Sequence, residues 1–91
     1  MNATRKADKK ARGVPLHNGL GYSVRRALEN YFKDLDGHDA RNLYDLVISQ
    51  VEKPVFEIVL RQSRGNLTKA SQMLGMNRAT LRTRLRKYGL E

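Results

Sequence analysis

The sequence predicts an all-α protein with four helices per chain: an N-terminal two-helix dimerisation core followed by a C-terminal helix-turn-helix. Three observations lead there. Apolar residues between Val24 and Tyr88 recur at helical spacing, and no stretch alternates in strand fashion over a useful length. Two short amphipathic segments are joined by Leu74-Gly75-Met76-Asn77, the length and composition of a helix-turn-helix corner. One apolar stripe near the middle is longer than the rest of a 91-residue chain can cover.

Taken in order, residues 1–13 are polar, basic and aperiodic, the composition of a disordered arm. An irregular linker follows to residue 22. It contains Asn18-Gly19, a hairpin-type dipeptide whose flanks are too short for a hairpin. Ser23 is a good N-cap for a first helix. Val24, Ala27, Leu28, Tyr31, Phe32 and Leu35 then form one broad face, and Gly37 is placed to stop it. A second helix begins between Asp39 and Asn42. Leu43, Leu46, Val47, Val51, Val55, Ile58 and Val59 carry its stripe to about Ser63. Pro54 removes one backbone hydrogen bond inside that stripe, but the phase continues across it. The expectation is therefore a long, kinked helix of about 20 residues, or about 30 Å. Its excess length calls for a second copy of the chain, with Val24, Leu28, Tyr31, Phe32, Leu43, Leu46, Val47 and Val51 in the dimer core.

Gly65 can close the second helix and Asn66 can cap a short third one, whose inner face is Leu67, Ala70, Met73 and Leu74. Gly75 permits the positive φ of a sharp corner, Met76 plugs it, and Asn77 caps a fourth helix from Arg78 to about Tyr88. There Leu81, Leu85 and Tyr88 face inward, and Gly89 terminates. The chain divides accordingly into an arm and linker (1–22), dimerisation helices (23–63) and a helix-turn-helix region (64–91).

Charge sharpens the reading. The net charge is +9, but residues 23–63 are nearly neutral, with six basic and seven acidic side chains. Both ends are basic: five basic residues against Asp8 in 1–22, and seven against Glu91 in 64–91. Such asymmetry points to a polyanion. Arg78, Arg82 and Arg86 stack with like charge along the fourth helix, and no acid occurs between Gly65 and Leu90, so an external anion is expected to relieve the repulsion. Residues at the N-terminus of a recognition helix reach base edges. That nominates Asn77 and Arg78 for base contact, and Thr68, Thr80, Arg82, Arg84, Arg86 and Lys87 for phosphate. These features leave three possibilities: a reader of double-stranded DNA, an RNA-binding protein using its basic ends, and an adaptor built on the helical core.

Nothing points to an enzyme, a cofactor or a metal. There is no cysteine, His17 and His38 have no ligand partners, and no nucleophile–base pair or Gly-rich phosphate loop occurs. Asp34-Leu35-Asp36-Gly37-His38-Asp39 misplaces the glycine of a calcium loop and has Asp45 at the twelfth position. No apolar run approaches the roughly 20 residues of a membrane span, and no secretory signal is recognisable, so a cytoplasmic protein is expected.

Val24-Arg25-Arg26-Ala27-Leu28-Glu29-Asn30-Tyr31-Phe32, Leu43-Tyr44-Asp45-Leu46-Val47 and Glu52-Lys53-Pro54 resemble the Fis family of bacterial DNA-binding proteins. So do Arg64-Gly65-Asn66-Leu67-Thr68-Lys69-Ala70, Gly75-Met76-Asn77-Arg78-Ala79-Thr80-Leu81-Arg82 and Lys87-Tyr88-Gly89. The last 27 residues also resemble the output domain of NtrC-type activators; the similarity from Ser23 through Pro54 favours Fis. The resemblance implies a nucleoid-associated, DNA-bending homodimer and transcriptional regulator with a degenerate site. It implies base contact by Asn77 and Arg78, and backbone contact by Asn66, Thr68, Thr80, Arg82, Arg84, Arg86 and Lys87. It also names RNA polymerase as a candidate partner of the Arg64 to Lys69 region. Two departures stand out. Thr83 occupies a contact position where the family pattern has Lys, which weakens or alters that backbone contact. The basic N-terminal segment does not read as the family's recombinase-touching hairpin, so recombinase contact is not carried over.

Overall fold

The computed structural model describes Leu16 and residues 19–91. The expected basic arm, His17 and Asn18 lie outside the described residues. Within them the protein is all-α, with helices α1 (Leu20–Leu35), α2 (Leu43–Gln62), α3 (Leu67–Leu74) and α4 (Arg78–Lys87). The chain divides after Ala40 into two compact units, the first containing α1 and the second α2, α3 and α4.

α1 starts four residues earlier than the Ser23 cap would have it. The Ser23 amide already donates to the Gly19 carbonyl at 3.1 Å, a bond of the helical ladder. The chain turns in at Gly19, which adopts a left-handed conformation (φ 58°) and offers no side-chain cap. The helix also ends just before the expected glycine stop. Asp36 already turns left-handed at φ 50° and donates its amide to Lys33 O at 3.2 Å, and Gly37 follows at φ 88°. No residue of α1 is fully buried. Val24, Leu28, Tyr31 and Leu35 are half-buried, Phe32 is 51% exposed, and the Tyr31 and Phe32 rings meet edge to face at 5.7 Å.

α2 starts after Asn42 and passes through Pro54 without a break. Of the expected apolar stripe only Val59 packs on the core of this unit. Phe56 is 2% exposed and packs with Val59 and Leu60 against the other helices of its unit, whereas Val55 and Ile58 are 39% and 45% exposed. Helical geometry explains the difference. Asp45, Glu52, Phe56 and Ser63 fall at successive steps of seven, four and seven residues, so they share one face. Tyr44, Val47, Val51, Val55 and Ile58 share another, well over 60° away. α2 therefore has two working faces, and the second unit covers only the first.

The core of that unit consists of Phe56, Ala70, Leu81 and Leu85, with Leu67, Leu74, Met76, Tyr88 and Leu90 packed around it. Ala70 is fully buried, which allows α3 to approach its neighbours closely. Met73, expected inside, is 50% exposed. It follows Ala70 by three positions, and the third helix closes its core with Ala70, Leu67 and Leu74 instead. The α2–α3 corner closes through Gly65, whose amide donates to Leu60 O at 2.9 Å, while Arg64 and Gly65 both take positive φ.

Truncation at Leu81 should leave a cavity at the centre of this core. Leu81→Ala is expected to lower the unfolding free energy measured in urea by about 2–5 kcal/mol. Met73→Ala, at an exposed site, should change it by no more than about 0.5 kcal/mol.

Candidate nucleic-acid interface

α3 and α4 form the helix-turn-helix, and the turn between them is fixed by backbone chemistry. Gly75 sits at φ 74° and donates to Ser71 O at 2.9 Å, and the Met76 amide donates to the same carbonyl at 3.1 Å. These bonds close the C-terminus of α3. Both short helices then open on an asparagine cap. Asn66 Oδ1 accepts from the Lys69 amide at 3.0 Å, and Asn77 Oδ1 accepts from the Thr80 amide at 2.8 Å. Each cap commits the side-chain oxygen and not Nδ2, and both asparagines are exposed. Asn77 can thus donate to an acceptor on a partner while still holding its helix.

Leu81 and Leu85 are buried, and Tyr88 lies half-buried beside Phe56 with ring centroids 6.0 Å apart. Every other residue from Arg78 to Lys87 is exposed. The outer face accordingly presents Arg78, Thr80, Arg82, Thr83, Arg84, Arg86 and Lys87, with Asn66, Thr68 and Asn77 also exposed. Thr83 turns its hydroxyl inward, donating to Ala79 O at 3.1 Å. That proton is committed within the helix.

The basic side chains are not equivalent. Arg84 is ion-paired with Glu52, and Glu52 also accepts a 2.6 Å hydrogen bond from the Tyr88 hydroxyl. This bond, with some desolvation, holds the Tyr88 phenol above its ordinary pKa. Lys87 meets Asp45 at 2.7 Å, and that hydrogen bond raises its pKa. Arg82 and Arg86 both reach Glu91, at 2.8 and 3.2 Å. The Arg82 hydrogen bond, helped by the charge of Arg86, holds the Glu91 carboxyl below its ordinary value. The Glu91 pairing is therefore present above the usual carboxylate range and is lost only as pH falls through that lowered value. Two members of the like-charge stack, Arg82 and Arg86, thus share an internal carboxylate where an external anion was expected. Sequence reasoning missed all three acids. Asp45 and Glu52 lie one heptad apart on α2, opposite basic and phenolic groups spaced three and four residues apart on α4, and that complementarity was the available signal.

Arg78 differs. Among the described residues it has no carboxylate within ion-pair distance, and it occupies the first position of α4. The partial positive charge of a helix N-terminus disfavours a cation there. Arg84, Arg86 and Lys87, by contrast, sit in the last turn, where the dipole favours them. Among the described residues no group of three His, Cys, Asp or Glu side chains could hold a metal ion, and no helix is long and apolar enough to cross a membrane.

Comparison with known proteins matches the chain in two blocks. Residues 47–88 match the family described as bacterial regulatory protein, Fis family, and residues 1–40 match the N-terminal domain of DNA-binding protein Fis. The second match extends the similarity through the N-terminal segment, which its composition alone had set apart. The DNA-binding protein Fis of Actinobacillus succinogenes is 56% identical over 71 residues, covering 78% of this chain and 72% of that protein. Those of Proteus mirabilis and Escherichia coli O1:K1 are 52% and 50% identical over 68 residues, each covering 75% of this chain and 69% of the relative. With both parts of the family matched and a helix-turn-helix of the expected form, the chain belongs to the Fis family of bacterial regulatory proteins.

Proposed function

We propose that this chain is a DNA-binding and DNA-bending homodimer, a nucleoid-associated transcriptional regulator that reads the major groove of double-stranded DNA with α4. It is a Fis-family DNA-binding protein with a helix-turn-helix. The observation that carries the finer reading is Arg78: exposed, unpaired among the described residues, and set against the helix dipole at the tip of α4. Intrahelical stability does not account for a cation there, whereas contact with guanine O6 and N7 does. Asn77 stands beside it with its Nδ2 donor available for a base acceptor.

Arg82 and Arg86 on the outer face, Thr80, and Asn66 and Thr68 at the start of α3 meet phosphate oxygens on either side. Arg84 and Lys87 reach phosphate only by sharing or releasing Glu52 and Asp45. Thr83 contributes least, because its hydroxyl proton is bonded to Ala79 O. The amide groups in the first turn of each helix add donors for phosphate.

Dimerisation is supported by exposed apolar side chains, Phe32 on α1 and Tyr44, Leu46, Val55 and Ile58 on α2, with Val24, Leu28, Tyr31, Leu43, Val47 and Val51 half-buried. In this reading residues 23–63 are the dimerisation segment and 64–91 the DNA-binding region. Recognition helices closer together than one helical turn of DNA, about 34 Å, enter successive grooves only when the duplex bends, so deformability at untouched base pairs contributes to site choice. A nucleoid location in the cytoplasm follows, and the Arg64 to Lys69 corner is the candidate surface for RNA polymerase. The match to the N-terminal domain of Fis favours this reading over a detached activator output domain.

Light scattering should report a dimer, and a circularly permuted duplex should show mobility that depends on site position; a dimer that binds without that dependence does not bend DNA. If about half of the basic groups of residues 64–91 in a dimer engage phosphate, affinity should fall with salt at a log–log slope of about −6. Arg78→Ala should cost roughly 1–3 kcal/mol per base contact and relax base preference; unchanged specific affinity in the folded variant refutes the assignment. Asn77→Asp separates capping from contact. It keeps a capping oxygen and a favourable dipole interaction, so thermal stability should hold or rise. Duplex affinity should nevertheless fall by about tenfold or more, since a donor becomes an anion (about 1.4 kcal/mol).

A further inference from the structure

The end of the described chain is folded back onto the DNA-facing side of α4. Gly89 turns left-handed at φ 69°, the Leu90 amide donates to Leu85 O at 2.8 Å, and the Leu90 side chain packs against the core. These contacts fix Glu91 over the outer face. Its Oε2 accepts from Arg82 Nε at 2.8 Å and its Oε1 from Arg86 Nη1 at 3.2 Å. One carboxylate bridges two guanidinium groups one helical turn apart, each oxygen serving one arginine. A phosphodiester offers the same pattern, with two anionic oxygens on one centre, and guanidinium accepts either anion. The arginine side chains remain 51% and 58% exposed, so an incoming phosphate can reach them while Glu91 is in place.

We propose that Arg82 and Arg86 form a single anion site for one DNA phosphate, and that Glu91 occupies it as an internal substitute in the free protein. The proposal rests on the reading of α4 as the DNA-facing helix. Binding exchanges one anion for another. The affinity that this pair contributes on any sequence is reduced by the work of displacing Glu91. The contacts of Asn77 and Arg78 with bases are untouched by the exchange, so Glu91 tunes the strength of binding to the backbone and not the choice of bases.

The test is duplex binding across a salt series with the 91-residue chain. Glu91→Gln should tighten binding about three- to tenfold at low salt, on specific and random-sequence duplex alike, and steepen the salt slope by about one phosphate per protomer. In an Arg82→Ala/Arg86→Ala background the same substitution should have no effect. Glu29→Gln, which makes the same charge change on α1, should tighten binding by much less. Equal affinity of the wild type and Glu91→Gln overturns the proposal while leaving the DNA-binding reading intact. So does a gain that persists without the two arginines, or one matched by Glu29→Gln. Failure of both the wild type and Glu91→Gln to bind any duplex overturns both readings.

Discussion

The packing of α4 onto α2 is the constraint from which the rest of the functional surface follows. Leu81 and Leu85 are almost completely buried against Phe56 and Ala70, and these four side chains make up the fully buried apolar core. Burying one stripe of a ten-residue helix fixes its rotation, and rotation decides which side chains face outward. The carboxylate of Glu52, held between Arg84 and the Tyr88 hydroxyl, adds polar contacts at the edge of the same packing. With α4 held along its length and its start closed by the Asn77 cap, Arg78 and Thr80 are presented by rigid backbone.

The internal acids reshape the field of that surface. Asp45, Glu52 and Glu91 offset charge over the C-terminal half of α4, where basic residues already suit the helix dipole. They leave the N-terminal end, with Arg78, uncompensated among the described residues. Under the proposed reading of α4, positive potential is thereby concentrated at the end assigned to base contact. These pairs are exposed or half-exposed, so each contributes little to stability. Their larger effect is on which cations are free to meet a polyanion.

Much of this architecture was legible in the sequence because it depends on local rules. Helical periodicity located all four helices. Gly75 marked the corner, and Asn66 and Asn77 were recognisable as caps. What escaped depends on contacts between distant segments. Phe56 was passed over because it lies one residue off a stripe that already looked complete, and only the docking of α3 and α4 shows that α2 has a second face. Ser23 looked like a cap because its side chain suits one, yet Gly19 upstream turned the chain first. Asp45 and Glu52 come from 42 and 32 residues away, separations at which sequence proximity carries no information, while Glu91, only nine and five residues from Arg82 and Arg86, is brought back by the turn at Gly89. The candidate contact residues were legible as a pattern of types at a helix start, but the division between free and tethered cations required three dimensions.

The two faces of α2 also bear on how the molecule persists in solution. The face toward α3 and α4 is satisfied within one chain, so the second unit has an apolar core of its own. The face carrying Tyr44, Val55 and Ile58 is not satisfied there, and under the proposed pairing its burial is an encounter between copies. The stability of α1 and of the first turns of α2 then rises with the amount of protein present. Dilution would loosen the scaffold before it dissolved the recognition corner. A bend requires two recognition helices held at a fixed spacing, so the ability to deform DNA would be lost at low abundance while single-helix contact survived, giving a regulator whose mechanical action is gated by its own concentration.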